Sequence, residues 1–307
     1  MSQLGKAVVT GASGLIGHEL VQQLVERGVR VVAIDRDAPS VDGARCVSAD
    51  LAKPSDLARW SDEDTTIYHL AASADVRGSV VDPRYDFSNT LSPFFEVLEV
   101  ARETGARVIF PSTASVFDPS APLPLVESAA KLPSSPYAAA KLAGEAYCAA
   151  YNRAYAVDVR IARMFSVYGP RMSRLAIHDI VRKFEMNSSC IEIFGDGTQV
   201  RDYLHVSDAA RGLEIIASRG KPGEDYNLAS GIPVTVMQLT QAISKLMGCN
   251  DARIEPTGES FPGDTPRWYA SLDKIRSIGF EPAIDFETGL AETVRAIQAR
   301  PVFAHRG

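Results

Sequence analysis

The chain alternates short apolar runs with longer stretches in which apolar residues recur every three or four positions. Residues 6–10 form one such run, followed by a glycine-rich loop and an amphipathic stretch to about Arg27. Further runs cover 29–34, ending at Asp35, then 66–70, 107–110 and 157–161. Helically spaced stretches lie between them at 85–104, stopping near Gly105, and at 136–155. This pattern predicts buried strands alternating with surface helices. Such alternation predicts a parallel sheet covered on both faces, with right-handed crossovers.

After Tyr168-Gly169-Pro170 the rhythm changes. Segments shorten, and Gly, Pro and Asp recur, as in Phe194-Gly195-Asp196-Gly197 and Phe261-Pro262-Gly263-Asp264. Residues 204–218 and 226–228 nevertheless read as one more helix and strand of the main sheet. The predicted division is therefore discontinuous: 1–166 with 199–230 in a larger domain, 167–198 with 231–307 in a smaller one. The tail from Arg300 is expected to fray.

A chain of 307 residues with 46% apolar and 23% charged residues has the composition of a soluble globular protein with a sizeable core. Lys and Arg total 32 against 38 Asp and Glu, a net charge of -6, which predicts no general affinity for nucleic acid or anionic membranes. No apolar run approaches a membrane span and no signal-peptide pattern opens the chain, so the expected location is cytoplasmic. Cys46, Cys148, Cys190 and Cys249 are far apart and form no C-x-x-C, which indicates neither a metal site nor a disulfide framework.

The loop after the first run is Gly11-Ala12-Ser13-Gly14-Leu15-Ile16-Gly17. Gly11 and Gly14 permit a tight turn and a close approach to a pyrophosphate, and Gly17 permits close packing of helix on strand. A following helix N-terminus favours the phosphate charge. The second run ends in Asp35, placed to accept hydrogen bonds from the adenosine ribose, which favours NAD over NADP; Arg36 beside it is the residue that would attract a 2′-phosphate. Asp50 and Leu51 are candidates to grip the adenine. Tyr137 and Lys141 stand one helical turn apart, and an ammonium beside a phenol favours the phenolate. Together these features point to hydroxyl–carbonyl redox chemistry beside a nicotinamide.

The chain resembles the extended short-chain dehydrogenase/reductase family, and within it the NAD-dependent nucleotide-sugar epimerases of the UDP-glucose/UDP-galactose 4-epimerase type. The matching residues include Thr10 to Gly17, His69-Leu70-Ala71-Ala72, Asn89, Ser112-Thr113-Ala114-Ser115-Val116, Tyr137 with Lys141, Tyr168-Gly169-Pro170-Arg171, Arg201-Asp202-Tyr203, His205-Val206 with Asp208, and Tyr226 to Gly231. The resemblance implies a Rossmann-type doubly wound sheet, with the smaller domain taking the substrate, and a homodimer formed through the helices at 85–104 and 136–155. It implies Tyr137 as acid and base, Lys141 as its partner and a ligand of the nicotinamide ribose, and Thr113 on the reacting oxygen. Leu70, Ala71, Ala72, Asn89 and Phe165 would line the cofactor. Ile193 and Phe194 would flank the nucleotide base and Arg201 would meet the diphosphate. His69 and His205 are expected to be structural.

Three departures bear on substrate. Ser166 stands where relatives usually carry Asn, Phe117-Asp118 replaces Tyr-Gly, and Phe261 occupies a position where an arginine is common, with Arg267 as a nearby substitute. One absence bears on reaction type. Relatives that dehydrate their sugar carry an Asp-Glu pair after the threonine, whereas Ala114 and Ser115 follow Thr113. Without that acid, elimination is disfavoured and simple inversion at C4 is expected. The alternatives are a 4-ketoreductase using NAD(P)H and a non-catalytic dinucleotide-binding regulator.

Overall fold

Consecutive residues of a strand go to opposite faces of its sheet, and the first apolar run obeys this rule on two cores at once. The computed structural model describes residues 5–51, 57–259 and 265–300. Its strands are β1 (Lys6–Thr10), β2 (Arg30–Asp35), β3 (Arg45–Ser48), β4 (Thr65–His69), β5 (Arg107–Thr113), β6 (Val159–Met164), β7 (Ser166–Tyr168), β8 (Cys190–Ile193), β9 (Val200–His205), β10 (Asp225–Leu228), β11 (Pro233–Thr235) and β12 (Arg253–Pro256). Seven of them form one sheet in the order β10-β6-β5-β4-β1-β2-β3, with every pairing parallel. Val8, Val32 and Ile34 pack on one face beneath the helices Pro83–Thr104 and Pro136–Tyr155. Ala7, Val9, Val31 and Ala33 pack on the other beneath Leu15–Glu26 and Val206–Arg219. This is a doubly wound Rossmann-type α/β fold.

Helix boundaries follow local chemistry. The Pro83–Thr104 helix begins two residues earlier than its apolar spacing suggests, because the Asp82 carboxylate accepts the Tyr85 N–H at 2.9 Å and Pro83 occupies the first turn. It stops at Gly105, whose φ of 78° is left-handed. Ser135 caps the Pro136–Tyr155 helix by accepting from the Ala138 N–H at 3.2 Å.

The smaller region has its own core, built from Tyr168, Ile177, Phe184, Ile191, Leu239 and Leu290. It contains a three-stranded sheet in the order β11-β9-β7 and the β12–β8 pair. β9 therefore does not join the large sheet, although 199–205 was assigned to the larger domain from the sequence. The reason is β7, which leaves the end of β6 after one residue and takes β9 as a parallel partner. The Val206–Arg219 helix and β10 do return to the large sheet. The motif at 261–264 and the tail beyond Arg300 lie outside the described residues.

A buried ion pair locks the Pro136–Tyr155 helix to the strands. Arg163 on β6 donates from Nε and Nη2 to the two oxygens of Glu145 at 2.9 and 2.8 Å, and Ser112 on β5 donates to the same carboxylate at 2.6 Å. Arg163 also pairs with Asp225 on β10. Removing one partner leaves charge buried without compensation, so Arg163→Met is expected to lower unfolding free energy by about 3–5 kcal/mol. Urea denaturation checks this; a loss below about 1 kcal/mol would show that the network does not hold the helix.

Candidate active site

The chain runs from β1 outward to β3, then returns to place β4 on the other side of β1. Loops diverge above such a reversal and leave a crevice at the carboxyl ends of the strands. Here the crevice opens into a cleft of about 1130 Å³ that reaches into the smaller region. That exceeds the usual size for one drug-sized ligand and suits two.

One wall is the glycine loop. Gly11 has φ 67°, and a Cβ there would lie 2.7 Å from the Ala71 backbone nitrogen, which cannot give way. The Gly14 N–H donates to the Gly11 carbonyl at 3.1 Å and closes the turn. Leu15, Ile16 and Gly17 open the following helix with no side-chain cap and no acid in the first turn, and all three line the cleft. This is a cradle for a pyrophosphate. At the end of β2, Asp35 accepts the Ser13 N–H at 2.9 Å and the Arg36 N–H at 2.7 Å. The Arg36 guanidinium donates to Asn89 at 3.1 Å, and Asn89 donates to the Tyr85 carbonyl at 2.8 Å. Asp50, Leu51, Leu70, Ala71, Ala72 and Phe165 complete the lining on this side. His69 at the end of β4 is buried and pushed down to about 3, hence neutral, and shares a 3.0 Å hydrogen bond with Thr10.

Tyr137, Lys141 and Thr113 converge where β5 ends. Tyr137 hydrogen-bonds the Thr113 hydroxyl, which also lies 3.2 Å from Ser115 Oγ. Burial pushes the Tyr137 phenol up to about 12, opposed by the Thr113 hydrogen bond and by the Arg174 guanidinium. Burial, not the expected lowering by Lys141, dominates the phenol here. Lys141 Nζ donates to the Pro111 carbonyl at 2.8 Å and lies 4.8 Å above the Phe110 ring. Burial pulls Lys141 down to about 8, with the Asp86 carboxylate acting against the fall.

On the opposite wall lie Ser166, Ile193, Phe194 and Arg201. Arg77 from the larger domain places its guanidinium 4.6 Å above the Phe194 ring. Arg201 lies 4.2 Å above the Trp268 ring and donates to the Val200 carbonyl at 2.9 Å. Arg267 does not line the cleft. It is exposed and bridged to Val200, and its neighbour Trp268 takes the lining position, as alternation along an extended segment requires.

These elements, in this order, meet a known pattern: the model of the NAD-dependent epimerase/dehydratase family matches residues 7–229. The chain belongs to that family. It is 31% identical to a UDP-glucose 4-epimerase of Mycolicibacterium smegmatis, over 94% of this chain and 97% of the relative. It is 29% identical to a dTDP-glucose 4,6-dehydratase of Streptomyces griseus, over 94% and 92% of the two chains. The crystal structure of Thermus thermophilus UDP-glucose 4-epimerase in complex with NAD superposes with a TM-score of 0.86 at 26% identity, covering 96% and 99% of the two chains.

Sequence reasoning passed over two charged residues whose charge acts on Tyr137. Asp86 is buried in the Pro83–Thr104 helix, where its carboxylate accepts from Thr90 at 3.5 Å and acts on both Tyr137 and Lys141. It had a signal: Asp86, Thr90, Phe94 and Leu98 recur every fourth position on the buried stripe, so an acid stands where an apolar residue is expected. Arg174 had none, because a loop carries it into the cleft.

The desolvation of Lys141 has a sign that can be tested. Folded Lys141 titrates near 8 and the solvated side chain near 10.5, so between these values the unfolded chain binds more protons and this contribution to stability rises with pH. Wild-type stability relative to Lys141→Met is expected to rise over that window by on the order of 3 kcal/mol. Urea midpoints measured across the window check it; a constant difference would mean that the ammonium is not desolvated.

Proposed function

We propose that the protein is an NAD-dependent nucleotide-sugar 4-epimerase acting on a substrate of the UDP-hexose type. One observation carries the reading. The turn after Thr113 is a single helical turn of Ala114, Ser115 and Val116, and it presents no carboxyl group beside Tyr137. Among the described residues, the carboxylates lining the cleft are Asp35, Asp50, Asp75 and Asp179, all on other elements. Elimination needs a positioned acid; inversion needs only a group that takes a proton from the C4 hydroxyl and gives it back. Tyr137 is that group, and Thr113 holds the same oxygen. Lys141 keeps a positive charge beneath them up to about pH 8.

The glycine cradle, Asp35 and the Leu70–Ala72 turn fit a dinucleotide, and bound NAD supplies a reversible two-electron acceptor at the sugar carbon. Asp35 would hold the ribose hydroxyls and repel a 2′-phosphate. Ile193 and Phe194 would flank the nucleotide base, and Ser166 and Arg201 would meet the substrate's diphosphate end. A homodimer through the two long helices is supported by Phe95, Tyr147 and Tyr155, which stay 37%, 41% and 57% exposed there, whereas Phe94 and Leu98 are core residues.

Turnover of a UDP-sugar without added coenzyme, read by NMR, is the direct test. Tyr137→Phe is expected to keep its fold and its NAD affinity while losing about 10²–10⁴-fold in rate; near-normal turnover would remove the assigned role. Asp35→Ala is expected to weaken NAD binding and narrow the preference over NADP, measured by fluorescence titration. Unchanged affinities for both coenzymes would contradict the cofactor assignment.

A further inference from the structure

Trp268 is half-buried on the substrate wall of the cleft, packed against the apolar core of the larger domain. Its backbone sets its place. The Trp268 N–H donates to the Val200 carbonyl at 3.2 Å, and the Val200 N–H donates to the Pro266 carbonyl at 2.9 Å. Two residues on, the Ala270 N–H donates to the Asp202 carboxylate at 3.2 Å, while the Leu125 N–H donates to the Tyr269 carbonyl at 2.8 Å. Residues 266–270 are thus laced to β9 on one edge and to Leu125 on the other. The indole N–H takes no part in this: Nε1 is buried and has no hydrogen-bond partner among the described residues. Burying an unpartnered donor costs stability, and a phenylalanine at this position would avoid the cost. What the side chain offers instead is its ring face. The Arg201 guanidinium lies over it, 4.2 Å from the ring centroid.

Arg201 is held from two directions. Its Nη1 donates to the Val200 carbonyl at 2.9 Å and to the Pro266 carbonyl at 3.3 Å, which anchors one edge of the guanidinium. The indole supports the group from its face, and indole is the strongest aromatic partner for a cation. An arginine ordered before its ligand arrives loses less rotamer freedom on binding. Phe261 occupies a position where an arginine is common, and Arg267 does not line the cleft, which leaves more of the diphosphate to Arg201. We infer that Trp268 is a positioning residue for substrate binding, whose ring preorders the Arg201 guanidinium for a nucleoside diphosphate. The inference rests on the assignment of Arg201 to the diphosphate made above and adds the residue that makes it effective.

Calorimetric titration of the NAD-loaded protein with UDP and with uridine is the test. Trp268→Met keeps a long apolar side chain but removes the ring face. It is expected to lower UDP affinity about tenfold and uridine affinity by less than about twofold. Trp268→Phe keeps a face without the N–H and is expected to stay within about threefold of the wild type. Arg201→Met is expected to lower UDP affinity about tenfold or more, and Trp268→Met to add less than about twofold to that loss. Equal losses for UDP and uridine, no loss in Trp268→Met, no recovery in Trp268→Phe, or additive losses in the double variant would overturn the inference. A second reading leaves residue 268 intact and so holds even if its variants do not fold. Trp60 and Trp268 are the two tryptophans of the chain, so Trp60→Phe leaves Trp268 as the sole indole emitter. Saturating UDP is expected to shift that emission, and Arg201→Met to abolish most of the shift. No shift with Arg201 present, or a full shift without it, would again overturn the inference. The outcomes also separate the two proposals. Unchanged UDP affinity in Arg201→Met removes the diphosphate assignment itself. A loss there with none in Trp268→Met removes only the role of Trp268.

Discussion

The close approach of two backbones at the strand reversal is the constraint on which the site depends. β1 and β4 are neighbours in the sheet but far apart in the chain, and their carboxyl ends are tied by the Thr10–His69 hydrogen bond and by the Ala71 N–H donating to Thr10 at 3.2 Å. Gly11 fits against Ala71 only because it has no side chain. That contact fixes the loop, the loop aims the first turn of the Leu15–Glu26 helix into the crevice, and the crevice is where β5 delivers Thr113. A parallel sheet makes this possible because all its carboxyl ends lie on one edge.

Desolvation then sets the chemistry. Tyr137 is pushed up to about 12 and Lys141 pulled down to about 8, so the buried environment moves phenol and amine toward their neutral forms. A phenol in that state is an acid and becomes a base only when positive charge is brought near. Arg174, Asp86 and the Thr113 hydroxyl act on the balance from three different elements. The Arg163–Glu145 pair, buried behind them, keeps the helix that carries Tyr137 in register with β5 and β6.

Local chemistry made much of the fold legible in the chain: apolar runs for the strands, Gly105 for a helix end, and glycine spacing for the cradle. These signals depend on residues within a turn or two of one another, and so survive without tertiary context. The family motifs extended that reading to Tyr137, Lys141, Thr113 and Phe165, which the fold does gather in one cleft.

Sequence by itself thus determined which elements form, how they alternate and which residue types stand at the strand ends. Tertiary structure alone decided where the polar ends of Tyr137 and Lys141 find their partners, and whether Arg267 or Trp268 faces the cleft. It also decided that β9 belongs to the smaller sheet and that Arg174 lines the same cleft as Tyr137. The physical reason is range. Propensity and periodicity act over a few residues, whereas desolvation, charge and cleft lining arise from groups brought together across the whole chain.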